Sequence, residues 1–135
     1  MKLEGFGLFV INMDEMVEFT KHVLDFEIEY QSGDGNVYLK KDGVLFLMYG
    51  RSDFEKMCDK RFSYPKDLNG TVEITLQAKN YSDVDVCFER VVSKGAKPIL
   101  EPSTQPWGQR TSYVADPEGN IIEIGSFLKD TSENE

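Results

Sequence analysis

The sequence predicts an α+β fold built from two copies of a β-α-β-β-β module, and three observations carry that prediction. Alternating strand patterns at residues 5–10 and 73–78 each run into an asparagine and a helical pattern, at Asn12-Met13-Asp14-Glu15 and Asn80-Tyr81-Ser82-Asp83. Each helical pattern is followed by three short strand patterns separated by turns. The chain, 135 residues long, is of a size that folds as one domain with a substantial core.

Both helices begin alike. An asparagine side chain caps the first turn, and an acid three residues later, Glu15 or Asp83, faces the positive end of the helix. The first helix presents Met13, Met16, Val17, Val23 and Leu24 as its apolar stripe. The second presents Val84, Cys87, Phe88, Val91 and Val92 at i, i+3, i+4, i+7 and i+8. These stripes are core. Strands are expected at 26–31, 36–40 and 44–49 in the first copy, and at 97–100, 111–115 and 120–127 in the second. Ser32-Gly33-Asp34-Gly35, Lys41-Asp42-Gly43 and Asp116-Pro117-Glu118-Gly119 supply turns. Ser52 and Glu55 suggest a capping box for one short helix in a charged connecting segment. The predicted organisation is a single domain over 1–128, with module one at 4–50, a connecting segment at 51–70 and module two at 71–128. An acidic tail, 129–135, is predicted to be disordered. One helix covers only one face of each sheet, so two such half-barrels are expected to close into a cup-shaped open barrel. Its concave interior is the expected ligand site.

Composition narrows the function classes. A net charge of −9 lacks the basic footprint that nucleic acid requires. It suits a cationic ligand, although acidic surfaces mostly serve solubility. No apolar run approaches a membrane span, and Met1-Lys2-Leu3-Glu4 does not read as a signal peptide. Cys58 and Cys87 are too few for a disulfide scaffold and lack zinc-site spacing, so a reduced, cytoplasmic protein is expected. There is no phosphate-cradling glycine loop, and no histidine placed to activate a cysteine or serine.

Two motifs carry the chemistry: Pro106-Trp107-Gly108-Gln109-Arg110 and Asp116-Pro117-Glu118-Gly119-Asn120-Ile121-Ile122-Glu123. The second is a tight turn feeding a strand, and it sets the carboxylate of Glu123 between apolar neighbours. A carboxylate facing the inside of a sheet is costly unless paired, hydrated or bound. Glu123 therefore marks a ligand site or a wet cavity. Trp107 is either a flat wall for a planar or cationic ligand or a packing residue. Arg110 either orients an anionic group or neutralises Glu123.

The module order together with both motifs resembles the vicinal oxygen chelate superfamily, which includes glyoxalase I, bleomycin resistance proteins and extradiol dioxygenases. The likeness runs from Phe6 to about Phe127, and Val23-Leu24-Asp25-Phe26 is similar to the family's Val-Leu-Gly-Phe, with Asp25 replacing the glycine. In the metal-dependent members, four positions converge on a divalent ion. The resemblance maps them onto Gly5, Leu47, Glu73 and Glu123, of which only the two glutamates have donor side chains. It places Tyr113 facing the pocket, with Tyr38 as its approximate counterpart in module one, and sets the Trp107 stretch beside the ligand groove. His22, the one histidine, falls on the first helix, on the face the family leaves to solvent.

These readings imply a metal-free, bleomycin-resistance-like small-molecule binder. Trp107, Arg110, Tyr113, Glu73, Glu123, Tyr38 and Leu47 would line its ligand site. No cofactor is expected beyond a weakly bound divalent cation at Glu73 and Glu123. The alternative is a lyase, isomerase or dioxygenase using Glu73 and Glu123 in an incomplete metal or acid–base centre. A third is a structural dimer with a vestigial pocket. A homodimer is expected in any case, because short members commonly close their half-barrels between subunits. The expected ligand is cationic or aromatic, with no nucleic-acid or membrane partner.

Overall fold

The computed structural model describes residues 1–131 and resolves two compact units, Met1–Pro65 and a second beginning at Lys66. The division falls inside the predicted connecting segment. Residues 132–135 of the predicted tail lie outside the described residues; within 129–131, Asp130 accepts a hydrogen bond from the Ser82 N–H at 2.9 Å.

In the first unit, strand β1 (Gly5–Val10) leads into helix α1 (Met13–His22), followed by β2 (Asn36–Lys41), β3 (Val44–Gly50) and helix α2 (Arg51–Cys58). Asn12 caps α1 as predicted, accepting from the Glu15 N–H at 3.1 Å. The strands order β1-β3-β2, with β1 parallel and β2 antiparallel to β3. Val10, Met16, Val17, Val37 and Met48 form the core between α1 and one face of this sheet. Asp42 and Gly43 both take positive φ, 53° and 80°, the geometry of a two-residue hairpin between β2 and β3. Asp25 sits at φ 60°, so the left-handed conformation natural to a glycine is kept by a short polar side chain.

Two expectations for this unit need correction. Residues 26–31 form no strand. Their alternation is real, since Phe26 is buried and Ile28 and Tyr30 pack on the core while Glu27 and Glu29 are exposed. The side chains obey strand periodicity but the backbone joins no ladder, which leaves a three-stranded sheet. The short helix is capped by Gly50, without a side-chain bond, and not by Ser52. Chain leaving β3 enters the helix directly, and Glu55 turns to accept from the Phe62 N–H at 2.8 Å.

The second unit contains β4 (Asn69–Gln77), α3 (Tyr81–Ser93), β5 (Lys97–Thr104), β6 (Arg110–Ala115) and β7 (Asn120–Ser126), its sheet ordered β4-β7-β6-β5. Asn80 caps α3 through the Asp83 N–H at 3.0 Å. Val84, Phe88 and Val91 of α3 are buried, as are Val114, Ile122 and Ile124 of the sheet. The Asp116 turn is tied by its own side chain, which accepts from the N–H groups of Glu118 and Asn120 at 2.9 and 3.0 Å. Gly119 has φ 86°, and a Cβ there would lie 1.8 Å from the Asp67 carbonyl oxygen. Only glycine fits.

The two sheets share one register. Gly7 pairs with Leu47 as Thr75 pairs with Glu123, and Tyr38 pairs with Leu47 as Tyr113 pairs with Glu123. The repeat read from the sequence is thus reproduced in three strands of each unit, β1-β3-β2 and β4-β7-β6.

Candidate functional site

Strand alternation in the second unit separates two faces of the sheet. Val114, Ile122 and Ile124 belong to the face packed on α3, whereas Glu73, Thr75, Thr111, Tyr113 and Glu123 occupy the other. Glu123 is 6% exposed, and three donors converge on its Oε2: Thr111 Oγ1 at 2.7 Å, Tyr113 OH at 2.9 Å and Gln109 Nε2 at 3.3 Å. Among the described residues no hydrogen bond to Oε1 accompanies them. A buried carboxylate is therefore fixed in place through one of its oxygens.

Glu73 is exposed and accepts from Thr75 Oγ1 at 3.3 Å. Tyr113 lies within reach of both carboxylates. Its phenol is held far above the ordinary tyrosine range, first by burial, then by its hydrogen bond to Glu123 and by the charges of Glu123 and Glu73. This phenol is a donor that keeps its proton. Trp107 stands on the loop before β6 and is 64% exposed, and its indole N–H donates to Gln109 Oε1 at 2.9 Å.

Of the other predicted residues, Arg110 belongs to the opposite face of β6, and Leu47, Tyr38 and His22 belong to the first unit. Arg110 does not neutralise Glu123. Its guanidinium pairs with Asp85 of α3, Nε to Oδ1 at 2.8 Å and Nη2 to Oδ2 at 3.1 Å, and also reaches Thr104 Oγ1 at 3.0 Å. One residue of strand alternation separates its face from that of Thr111. Leu47 and Tyr38 lie in the first unit, Leu47 partly buried and Tyr38 72% exposed. There Tyr38 lines a cavity of about 450 Å³ with Glu29, Asp34, Gly35 and Asn36. His22 is on the exposed end of α1, 3.5 Å from Glu18.

The sequence reading assigned no role to Gln109, Thr111 or Gly125. Thr111 was detectable, since it stands two residues before Tyr113 on one strand and so shares its face. Gly125 was not, because its importance is a cross-strand clearance. A Cβ at Gly125 would lie 2.9 Å from Thr111 Oγ1 and 3.0 Å from Gln109 Nε2, so the missing side chain leaves room for two of the three donors.

The sequence profile of the glyoxalase-like domain matches residues 4–129, nearly the whole chain. The chain belongs to this family. It is thereby a member of the vicinal oxygen chelate superfamily, as the motifs suggested. An uncharacterized protein of Mycobacterium bovis is 30% identical over 90 residues, which span 67% of this chain and 58% of that relative. The matched stretch thus spans little more than half of the curated relative. A glyoxalase/bleomycin resistance protein/dioxygenase family enzyme from Burkholderia phytofirmans superposes with a TM-score of 0.81 at 18% identity, covering 95% of this chain and 100% of that one. A glyoxalase-related enzyme from Fulvimarina pelagi gives 0.78 at 16% identity, covering 93% of this chain and 88% of that one. At such identities the likeness shows the fold alone.

The superfamily's metal can be tested against the donor set. Of the four mapped positions, Gly5 and Leu47 offer no ligand atom. Among the described residues, no group of three or more His, Cys, Asp or Glu side chains is placed to hold an ion. One oxygen of Glu123 already accepts three hydrogen bonds. This set does not fit a catalytic transition metal, which generally takes three or more protein ligands.

Proposed function

We propose that this glyoxalase-like protein binds a small molecule on the Glu123 face of its second module, in the manner of bleomycin-resistance-like members. The observation that carries the reading is the convergence of three donors on one oxygen of a buried carboxylate. That arrangement holds the second oxygen ready to accept from a ligand ammonium, amidinium or other N–H donor. The exposed ring of Trp107 supplies an aromatic surface on the loop beside it, and the charge of Glu73 adds to the preference for cations. A divalent cation held weakly by the two glutamates remains compatible with hard-ion chemistry. We further propose a homodimer working in the cytoplasm.

Thermal-shift screening of cationic, planar and anionic compounds tests this. The best hits are expected to be cations, with affinity lost in Glu123→Gln and Trp107→Ala. Equal binding by wild type and both variants would remove Glu123 and Trp107 from the site.

A second reading, an acid–base enzyme, draws on the Tyr113–Glu123 hydrogen bond. The carboxylate would remove a proton while the phenol, which retains its own, donates a hydrogen bond to the charge that develops. Turnover abolished by Tyr113→Phe with ligand affinity unchanged would favour it over simple sequestration.

A further inference from the structure

The Gln109 side chain touches both the Trp107 loop and the buried carboxylate. Its amide orientation is fixed by chemistry, since the indole N–H can only donate and Glu123 can only accept while ionised. Gln109 Oε1 therefore takes the indole at 2.9 Å, and Nε2 reaches Glu123 Oε2 at 3.3 Å. The loop is pinned around this link. Gln105 N–H donates to the Gln109 carbonyl at 2.7 Å, and the Tyr81 hydroxyl donates to the Gly108 carbonyl at 2.5 Å. Gly125 provides the clearance in which the Gln109 amide lies.

We propose that Gln109 is a positioning residue that couples the Trp107 loop to the charge of Glu123. Its contact with Glu123 is the longest of the three, against 2.7 Å for Thr111 and 2.9 Å for Tyr113, so it is the first to yield when the carboxylate changes partner. Whatever alters the carboxylate is relayed through one amide to the indole. The relay itself belongs to the ligand-free protein. Its use, letting the aromatic wall respond when a ligand engages Glu123, rests on the binding function proposed above.

Trp107 is the only tryptophan in the sequence, so one indole Nε1–H resonance reports on the link in the ligand-free, full-length protein. Glu123→Gln removes the charge and keeps the shape, and it is expected to shift that resonance through the Gln109 side chain, which bonds both the indole and Glu123. The same substitution made in Gln109→Met is expected to produce no shift. Gln109→Glu serves as a second background, because it retains an acceptor for the indole but repels Glu123, and there too the response is expected to vanish. A Glu123→Gln shift of equal size in all three backgrounds, or none in the wild type, would overturn the proposal. Because no ligand is present, this outcome is independent of the binding screen. Ligands that depend on Glu123 without the relay would sink only Gln109's role, and a relay without ligands would sink only the binding function.

Discussion

Three strands of each module share one register and carry opposite contents. In module two, Glu123 is ringed by Thr111, Tyr113 and Gln109, with Gly125 leaving them space. In module one the register-equivalent positions hold Leu47 for Glu123, Asn36 for Thr111 and Tyr49 for Gly125. Phe9 there replaces Gln77. Phe9 and Tyr49 meet Phe54 of α2, stacked on Phe9 at 4.0 Å and edge-on to Tyr49 at 6.2 Å, and Phe54 stacks in turn on Phe62 at 5.2 Å. One face is polar and organised around a charge; the other is aromatic and organised around a ring. The backbone repeat sets where side chains meet, and the exchange of a few residues at those meeting points decides whether the result is a hydrogen-bonded carboxylate or an aromatic packing surface.

Exchanging single positions probes that contrast, and the largest effects are expected at the turns that hold the strands. Gly119→Ala drives a Cβ into the Asp67 carbonyl at a positive φ, whereas at Gly43, the hairpin glycine of module one, nothing lies within 4 Å of the added atom. Thermal melts should show a loss of about 3–5 kcal/mol for the first, in the range where backbone strain and overlap combine. For Gly43→Ala the loss should be about 1 kcal/mol, from φ alone. Equal losses would mean that the second-module turn relaxes freely.

Replacing Glu123 with leucine, the module-one residue, should come next. It orphans the hydroxyls of Thr111 and Tyr113 and the amide of Gln109, and is expected to destabilise by about 2–4 kcal/mol in urea melts. Glu123→Gln keeps an acceptor and should change stability by less than about 1 kcal/mol. If leucine proves neutral, module two does not need its charge to fold and the polar ring is as dispensable as the one module one lacks.

The halves of this comparison were unequally legible in the sequence. Helix caps and turns are local events, and Asn12, Asn80, Asp42-Gly43 and Asp116-Gly119 gave the module order directly. The strand expected at 26–31 was misread because periodicity reports which side a residue faces, while ladder pairing depends on a neighbour distant in sequence. Glu123 stood out as a carboxylate in an apolar strand. The partner of Arg110 did not, because Asp85 lies on a helix twenty-five residues earlier and nothing local joins them. Gln109 sat in a motif that was read for its tryptophan and arginine, and its role depends on a cross-strand glycine.

A small effect is expected at the tyrosine that the carboxylate holds. Tyr113 keeps its proton in the folded protein well above the ordinary tyrosine value of 10.0, chiefly through burial and then through Glu123. In the unfolded chain it titrates near that value. Above pH 10 the folded state therefore binds more protons than the unfolded state, and stability must fall as pH rises. The contribution of Tyr113 is complete below pH 10 and is lost progressively above it. Tyr30 and Tyr64 are raised as well, so the alkaline limb has more than one source. Tyr113→Phe should make that limb shallower by up to about one proton in the dependence of unfolding free energy on pH, while lowering stability at neutral pH by about 1 kcal/mol for the lost hydrogen bond. Denaturant melts between pH 8 and 11 would measure both. An unchanged alkaline slope would mean that Tyr113 ionises in the folded protein as readily as in the unfolded chain, and the Glu123 ring would then be an open, hydrated surface, looser than its hydrogen bonds imply.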